Sequence, residues 1–126
     1  MPDLPRAIAI VPCTDLDAAE QWWQRLGFTR PADQGFDDYR ILTDEAGSEV
    51  HLGRSTPDWL VSGRNPFGIY VYTPRVDVLA ETVRDAIIET SKGPEHKPWG
   101  MYEFALNGPD QLLVRVGWPN RLMQNG

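Results

Sequence analysis

The sequence is poor in the residues that most often announce chemistry. It holds one cysteine, Cys13, and two histidines, His51 and His96. A single cysteine excludes an internal disulfide, and its ordinary role is that of a small apolar filler at a strand end. The two histidines lie too far apart in sequence for short-range metal spacing, such as a pair on one helical face. No run approaches the ~18 uninterrupted apolar residues of a membrane span. Basic residues are the minority, 12 Lys and Arg against 18 Asp and Glu, which leaves a net charge of −6. That sign repels nucleic-acid backbones and anionic membranes and favours cationic partners. The expectation is a soluble, cytoplasmic protein that binds neither nucleic acid nor membrane.

What is present is a repeat. The chain has 126 residues, enough for one compact domain and too few for two ordinary ones. Slid by about half its length, "AIAIVPCTDLDAAEQWWQRLGF" (Ala7 to Phe28) falls on "GIYVYTPRVDVLAETVRDAII" (Gly68 to Ile88). Each reads as a β-rich run, a proline and a helical pattern. Thr14 or Asp15 caps the first helix, Leu16, Ala19, Trp23 and Leu26 form its apolar stripe with Trp22 off it, and Gly27 ends it. Val76, Leu79, Ala80, Val83 and Ile87 make the second stripe. Strands are expected at Tyr39 to Thr43, Glu49 to Arg54, Met101 to Leu106 and Leu112 to Val116, with turns at "DEAGS" and "NGPD". Pro94 and Pro98 mark a loop or an irregular edge strand between the second helix and Met101. Residues 1–126 thus read as a single domain of two halves, about 5–56 and 66–118, each a strand and a helix followed by further strands, joined by a loop.

Alternation within the strands separates two faces. Val50 and Leu52 oppose Glu49, His51 and Gly53; Ile69 and Val71 oppose Gly68, Tyr70 and Tyr72; Leu112, Val114 and Val116 oppose Leu113 and Arg115. The aliphatic set belongs under the helices. The second face, aromatic and polar, is where function is expected. A guanidinium there needs a partner, and Glu49 or Glu103 would serve Arg115.

Three motifs carry a family resemblance. They are the opening "VPCTDLDAAEQWWQRLGF", the strand Val50-His51-Leu52, and the closing "PWG" with "EFAL" and "PD" between Pro98 and Asp110. The chain resembles the vicinal oxygen chelate superfamily, and within it the bleomycin resistance protein branch. The resemblance implies an α+β fold of paired βαβββ modules that form an open sheet cup, usually in a homodimer. Enzymes of the superfamily hold a divalent metal at four positions that fall here on Ile8, His51, Gly68 and Arg115. Only His51 has a suitable donor; Ile8 and Gly68 have none, and Arg115 carries a permanent positive charge. No metal and no other cofactor is expected. Metal-free nucleophilic catalysis has no better support, with Cys13 far in sequence from either histidine.

The aromatic residues suggest binding instead. Five tryptophans and four tyrosines offer flat faces to planar cations. Trp99, held between Pro98 and Gly100, leads them: a wall residue that is ordered in advance loses less entropy on binding. Resistance-type proteins stack a drug's flat aromatic unit on a tryptophan of this "PWG" loop, and Trp99 matches it. Tyr39, Tyr70 and Tyr72 stand near family aromatics; Trp59, in the linking loop, is a candidate cover; His51 and Arg115 are polar contacts. Asp37 and Asp38 read equally as partners for a drug's positive groups or as a solvated turn. One departure concerns the last turn, where the family's "D-P-D/A-G" is "GPDQ", Gly108 to Gln111. The expected function, of the antibiotic-resistance kind, is metal-free sequestration of a flat, cationic antibiotic or metabolite in an aromatic-lined cleft; the alternative is a superfamily enzyme, of lyase or dioxygenase type, with a rearranged metal site that acts on a small metabolite.

Overall fold

The computed structural model describes residues 6–31, 37–56, 58, 60–61, 65–88 and 93–123. The chain divides into two compact units, Met1–Arg64 and Asn65–Gly126. Two sheets of mixed strands and two helices make it α+β.

In the first unit, β1 (Ile10–Cys13) leads into α1 (Leu16–Gln24), followed by β2 (Tyr39–Thr43) and β3 (Glu49–Arg54). Asp15 caps α1: its backbone is extended and its Oδ1 accepts from the Ala18 N–H at 3.0 Å. The helix closes on Gly27 at φ 90°, with the Gly27 N–H donating to the Gln24 carbonyl (3.0 Å) and the Phe28 N–H to that of Trp23 (3.2 Å). These paired bonds require the left-handed residue that glycine supplies without strain. β3 is central, parallel to β1 and antiparallel to β2, in the order β1-β3-β2. The β2–β3 turn is closed by Asp44, whose Oδ1 accepts from the Ala46 and Ser48 N–H groups.

Leu16, Ala19, Trp23 and Leu26 are buried with Val11, Leu42, Val50 and Leu52, so the stripe and the aliphatic strand face form the core as the alternation predicted. Each fully buried large side chain contributes roughly 1.5–3 kcal/mol by leaving water. Trp22 is half-buried, its ring edge-on to Trp23 at 5.3 Å. One charged group joins this interface. Glu20 of α1, 8 % exposed, accepts from Arg40 of β2 at 2.7 Å and from Arg30 at 3.1 Å. Arg40 also meets Asp17 at 3.0 Å.

The second unit repeats the plan with β4 (Gly68–Tyr72), α2 (Val76–Thr82), β5 (Glu95–His96), β6 (Met101–Asn107) and β7 (Leu113–Pro119), in the order β4-β7-β6-β5. Here β7 is parallel to β4 and antiparallel to β6. The proline-flanked segment expected as a loop or an edge strand contains β5, a two-residue edge. In the first unit, the place of β5 among the described residues is taken by a single bridge, where Thr29 and Thr43 exchange backbone hydrogen bonds of 2.8 Å.

One element differs from the sequence expectation. Ile87 does not extend the second helix: α2 stops at Thr82, Val83 has φ −117°, residues 84–86 form a 3-10 turn, and Ile87 is extended and bridges Leu106. It is still buried, because the bridge carries its side chain into the core. The β-branched pair at 83 and 87 keeps helical spacing without keeping the helix. In the "GPDQ" turn, Asp110 (φ 57°) and Gln111 (φ 60°) both adopt left-handed backbone.

Candidate functional site

In the second unit, the face turned away from α2 carries a buried carboxylate with three donors. Glu103 of β6 is 1 % exposed. Its Oε1 accepts from the Tyr70 hydroxyl of β4 at 2.7 Å and from the Trp99 indole N–H at 3.3 Å, and its Oε2 accepts from Arg115 Nη1 of β7 at 2.9 Å. Hydrogen bonds of this charge-assisted kind are what make a buried carboxylate tolerable. Burial first, and then the bond to Glu103, push the Tyr70 hydroxyl well above the usual tyrosine range, so it stays a donor. Tyr72 lies beside Tyr70, with ring centroids 4.7 Å apart, and is largely exposed.

Gly117 makes room for this arrangement. It is the register partner of Glu103, and a Cβ there would overlap the Tyr70 hydroxyl and come within 2.7 Å of the Glu103 Cβ. Only glycine lets the carboxylate and the phenol close over β7.

Trp99 sits on the turn between β5 and β6. The Gly100 N–H donates to the Lys97 carbonyl (3.0 Å), the Lys97 N–H to that of Met101 (2.7 Å), and the Asn120 N–H to that of Gly100 (2.8 Å). Gly100 has φ 91°, a conformation that a side chain would strain. The backbone is thus fixed on both sides, while the Trp99 side chain remains 61 % exposed.

The same face of the first unit carries a chain of polar contacts. The Tyr39 hydroxyl meets His51 Nδ1 at 2.6 Å, His51 Nε2 meets Glu49 at 2.5 Å, and Arg6 donates to Glu49 at 2.7 Å. The hydrogen bond from His51, aided by Arg6, holds the Glu49 carboxyl below its usual range against the opposing effect of burial. The Tyr39 and His51 rings stand edge to face, 5.3 Å apart.

The two clusters occupy equivalent lattice positions. Tyr39 pairs in register with Gly53, two residues beyond His51, and Glu103 pairs with Gly117, two residues beyond Arg115. The diagonal that joins phenol to imidazole in one unit joins carboxylate to guanidinium in the other.

Of the residues singled out from sequence, Tyr70, Arg115 and Trp99 converge on Glu103, with Tyr72 adjoining; Tyr39 and His51 meet in the first unit; and Trp59 lies outside the described residues. Arg115 is paired with Glu103, one of its two expected partners. Asp38 accepts from Arg54 at 2.7 Å. The roles of Glu103 and Gly117 as hub and spacer were not read from sequence. Alternation puts both on this face, but the register that makes them opposite is a long-range property.

The four positions that the resemblance assigns to a metal do not fit an ion here. Ile8 and Gly68 offer no donor, Arg115 is a cation bound to Glu103, and both ring nitrogens of His51 are engaged. Among the described residues, no group of three or more His, Cys, Asp or Glu side chains could hold a metal.

No family model and no curated protein matches the chain. Solved structures do. A bleomycin-binding protein complexed with bleomycin superposes with a TM-score of 0.73 at 23 % identity, covering 91 % of this chain and 98 % of that one. The bleomycin-binding protein of Streptomyces verticillus, complexed with copper(II)-bleomycin, gives 0.64 at 20 %, covering 90 % and 95 %. A glyoxalase/bleomycin resistance protein/dioxygenase from Nocardioides gives 0.69 at 16 %, covering 98 % and 89 %. The fold is that of these glyoxalase/bleomycin resistance-type structures.

Proposed function

We propose that the protein sequesters a flat, cationic small molecule of the bleomycin class in an aromatic-lined cleft, without a metal and without catalysis, and that it works as a cytoplasmic homodimer of two-module chains (about 5–56 and 66–118). Trp99 is the principal wall in this reading; Tyr70 and Tyr72 extend it within the second unit, with Arg115 beside them, and Tyr39, His51 and Trp59 are further candidate ligand contacts. The observation that carries this reading is the state of Trp99. A large aromatic is left mostly in water on a turn whose backbone hydrogen bonds and positive-φ glycine fix it. Exposure of this kind forgoes roughly 1.5–3 kcal/mol of burial that a structural tryptophan would gain.

Support also comes from the fold, shared with proteins solved in complex with bleomycin and copper(II)-bleomycin. Stacking on an indole contributes roughly 0.5–1.5 kcal/mol beyond area burial, and a cation over the ring adds about as much. The net charge of −6 draws a cationic ligand from a distance.

The test is a tryptophan fluorescence titration with bleomycin and phleomycin. A saturable change is expected, and Trp99→Ala should raise Kd at least about tenfold, the equivalent of ~1.4 kcal/mol. Absence of saturable binding to either drug ends this reading. Sedimentation equilibrium at micromolar concentration tests the dimer.

A further inference from the structure

We infer that Glu103 is a positioning residue for Trp99: its buried carboxylate tethers the edge of the indole, so that a ligand meets this ring by stacking and not through the indole N–H. The inference rests on the reading of Trp99 as a ligand wall and adds how that wall is held and what it offers.

Both oxygens of Glu103 are engaged. Oε1 serves Tyr70 and Trp99, and Oε2 serves Arg115. At 1 % exposure the carboxylate is out of a ligand's reach, and the guanidinium beside it balances its charge. Glu103 is therefore not the counter-ion for a cationic drug, although it is the buried acid nearest to the proposed wall. What remains for it is geometry. Fixing the backbone of residues 97 to 100 restricts where the Cα of Trp99 lies, but leaves its χ angles free. A bond from Nε1 to an immobile acceptor restricts these too.

The acceptor is immobile because two neighbouring strands hold it. Tyr70 comes from β4, Arg115 from β7, and Gly117 leaves no spare room above β7. The Tyr70 hydroxyl keeps its proton and so remains a donor to Glu103. Tethering an otherwise rotamer-rich side chain before binding is worth about 3- to 10-fold in Kd. Its second effect is on specificity. With the N–H occupied, a ligand gains nothing at this position from a hydrogen-bond acceptor, and the discrimination falls on the shape and electron deficiency of its flat group.

The experiment is 15N-edited NMR of the indole N–H groups in the full chain, with the Trp99 cross-peak identified by its loss in Trp99→Phe. In the wild-type protein without ligand, the Trp99 N–H is expected to exchange with water about tenfold more slowly than that of free tryptophan, as befits a bond to a charged acceptor. Glu103→Gln keeps one acceptor oxygen, which the donor-only guanidinium of Arg115 draws to itself, so the amide N–H groups are left facing Tyr70 and the Trp99 N–H loses its acceptor. The substitution should bring that exchange to the free rate, leave the other four indoles unmoved, and weaken bleomycin binding about 3- to 10-fold. Exchange at the free rate in the wild type overturns the tether, even if Glu103→Gln cannot be purified folded. Unaltered exchange in a folded Glu103→Gln protein overturns it equally. These ligand-free spectra decide the tether independently of whether bleomycin binds, which the fluorescence titration decides.

Discussion

Replacing Gly117 by alanine adds one methyl group at the tightest point of the second sheet. The new Cβ would lie 2.7 Å from the Glu103 Cβ and 3.1 Å from the Tyr102 carbonyl, and would overlap the Tyr70 hydroxyl. The carbonyl belongs to a paired strand and cannot retreat, so relief must come from Glu103 and Tyr70. Overpacking of this kind costs about 1–3 kcal/mol, and stretching even one bond to a buried carboxylate adds about 1.5 kcal/mol. Against this stands a gain of ~0.4–1 kcal/mol from stiffening the unfolded chain. The net expectation is a loss of about 2–3 kcal/mol, a fall in Tm of roughly 5–15 °C for a chain of this size. Gly68→Ala is the internal control. It lies on the partner strand β4, where an added Cβ would sit at ordinary contact distances of 3.6 and 3.9 Å from Leu113, and it should be neutral within about 0.5 kcal/mol. Urea denaturation followed by far-UV circular dichroism measures both. If Gly117→Ala matches Gly68→Ala, the packing of Tyr70 and Glu103 over β7 is wrong, and the argument for a rigid acceptor goes with it.

Two further outcomes follow from particular residues. The Glu49 carboxyl, held below its ordinary value of 4.5 chiefly by His51, contributes stability that is present above that value and is lost as pH falls through the lowered one. Glu49→Gln should therefore be less stable than wild type near neutrality, and the gap should close on acidification below pH 4.5; parallel stability curves from pH 7 to 3 would count against the His51–Glu49–Arg6 chain. Gln111 holds a left-handed backbone where the resistance family has glycine. Gln111→Gly should stabilise by about 0.5–1 kcal/mol once the lower steric strain is set against greater freedom of the unfolded chain, a Tm rise of a few degrees by calorimetry; a fall would show that the glutamine side chain earns its place.

Much of the fold was legible because its signals are local. The ends of β2 and β3 fall where alternation and the flanking turn residues put them, and Asp15 and Gly27 cap α1 as their chemistry requires. Ile87 shows the limit. Its spacing from Val83 fits a helix, yet a residue delivered to the core by a bridge to Leu106 leaves the same periodic trace. The polar face was readable as a face, because residues two apart on a strand share a side: Glu49 with His51, and Leu113 with Arg115. Which groups meet across it was not readable. Joining Tyr70, Glu103 and Arg115 takes the register of three strands, one of them more than thirty positions away in the chain.

Glu20 has a bearing on how the first helix finds its seat. An aliphatic stripe against an aliphatic sheet has many near-equivalent seatings, since a slip of one turn, about 5.4 Å, brings similar side chains over similar hollows. Here such a slip would carry a nearly dry carboxylate out of reach of Arg40 and leave opposite charges stranded in the interface. The acid acts as a dowel: it adds little to how tightly α1 is held and a great deal to where.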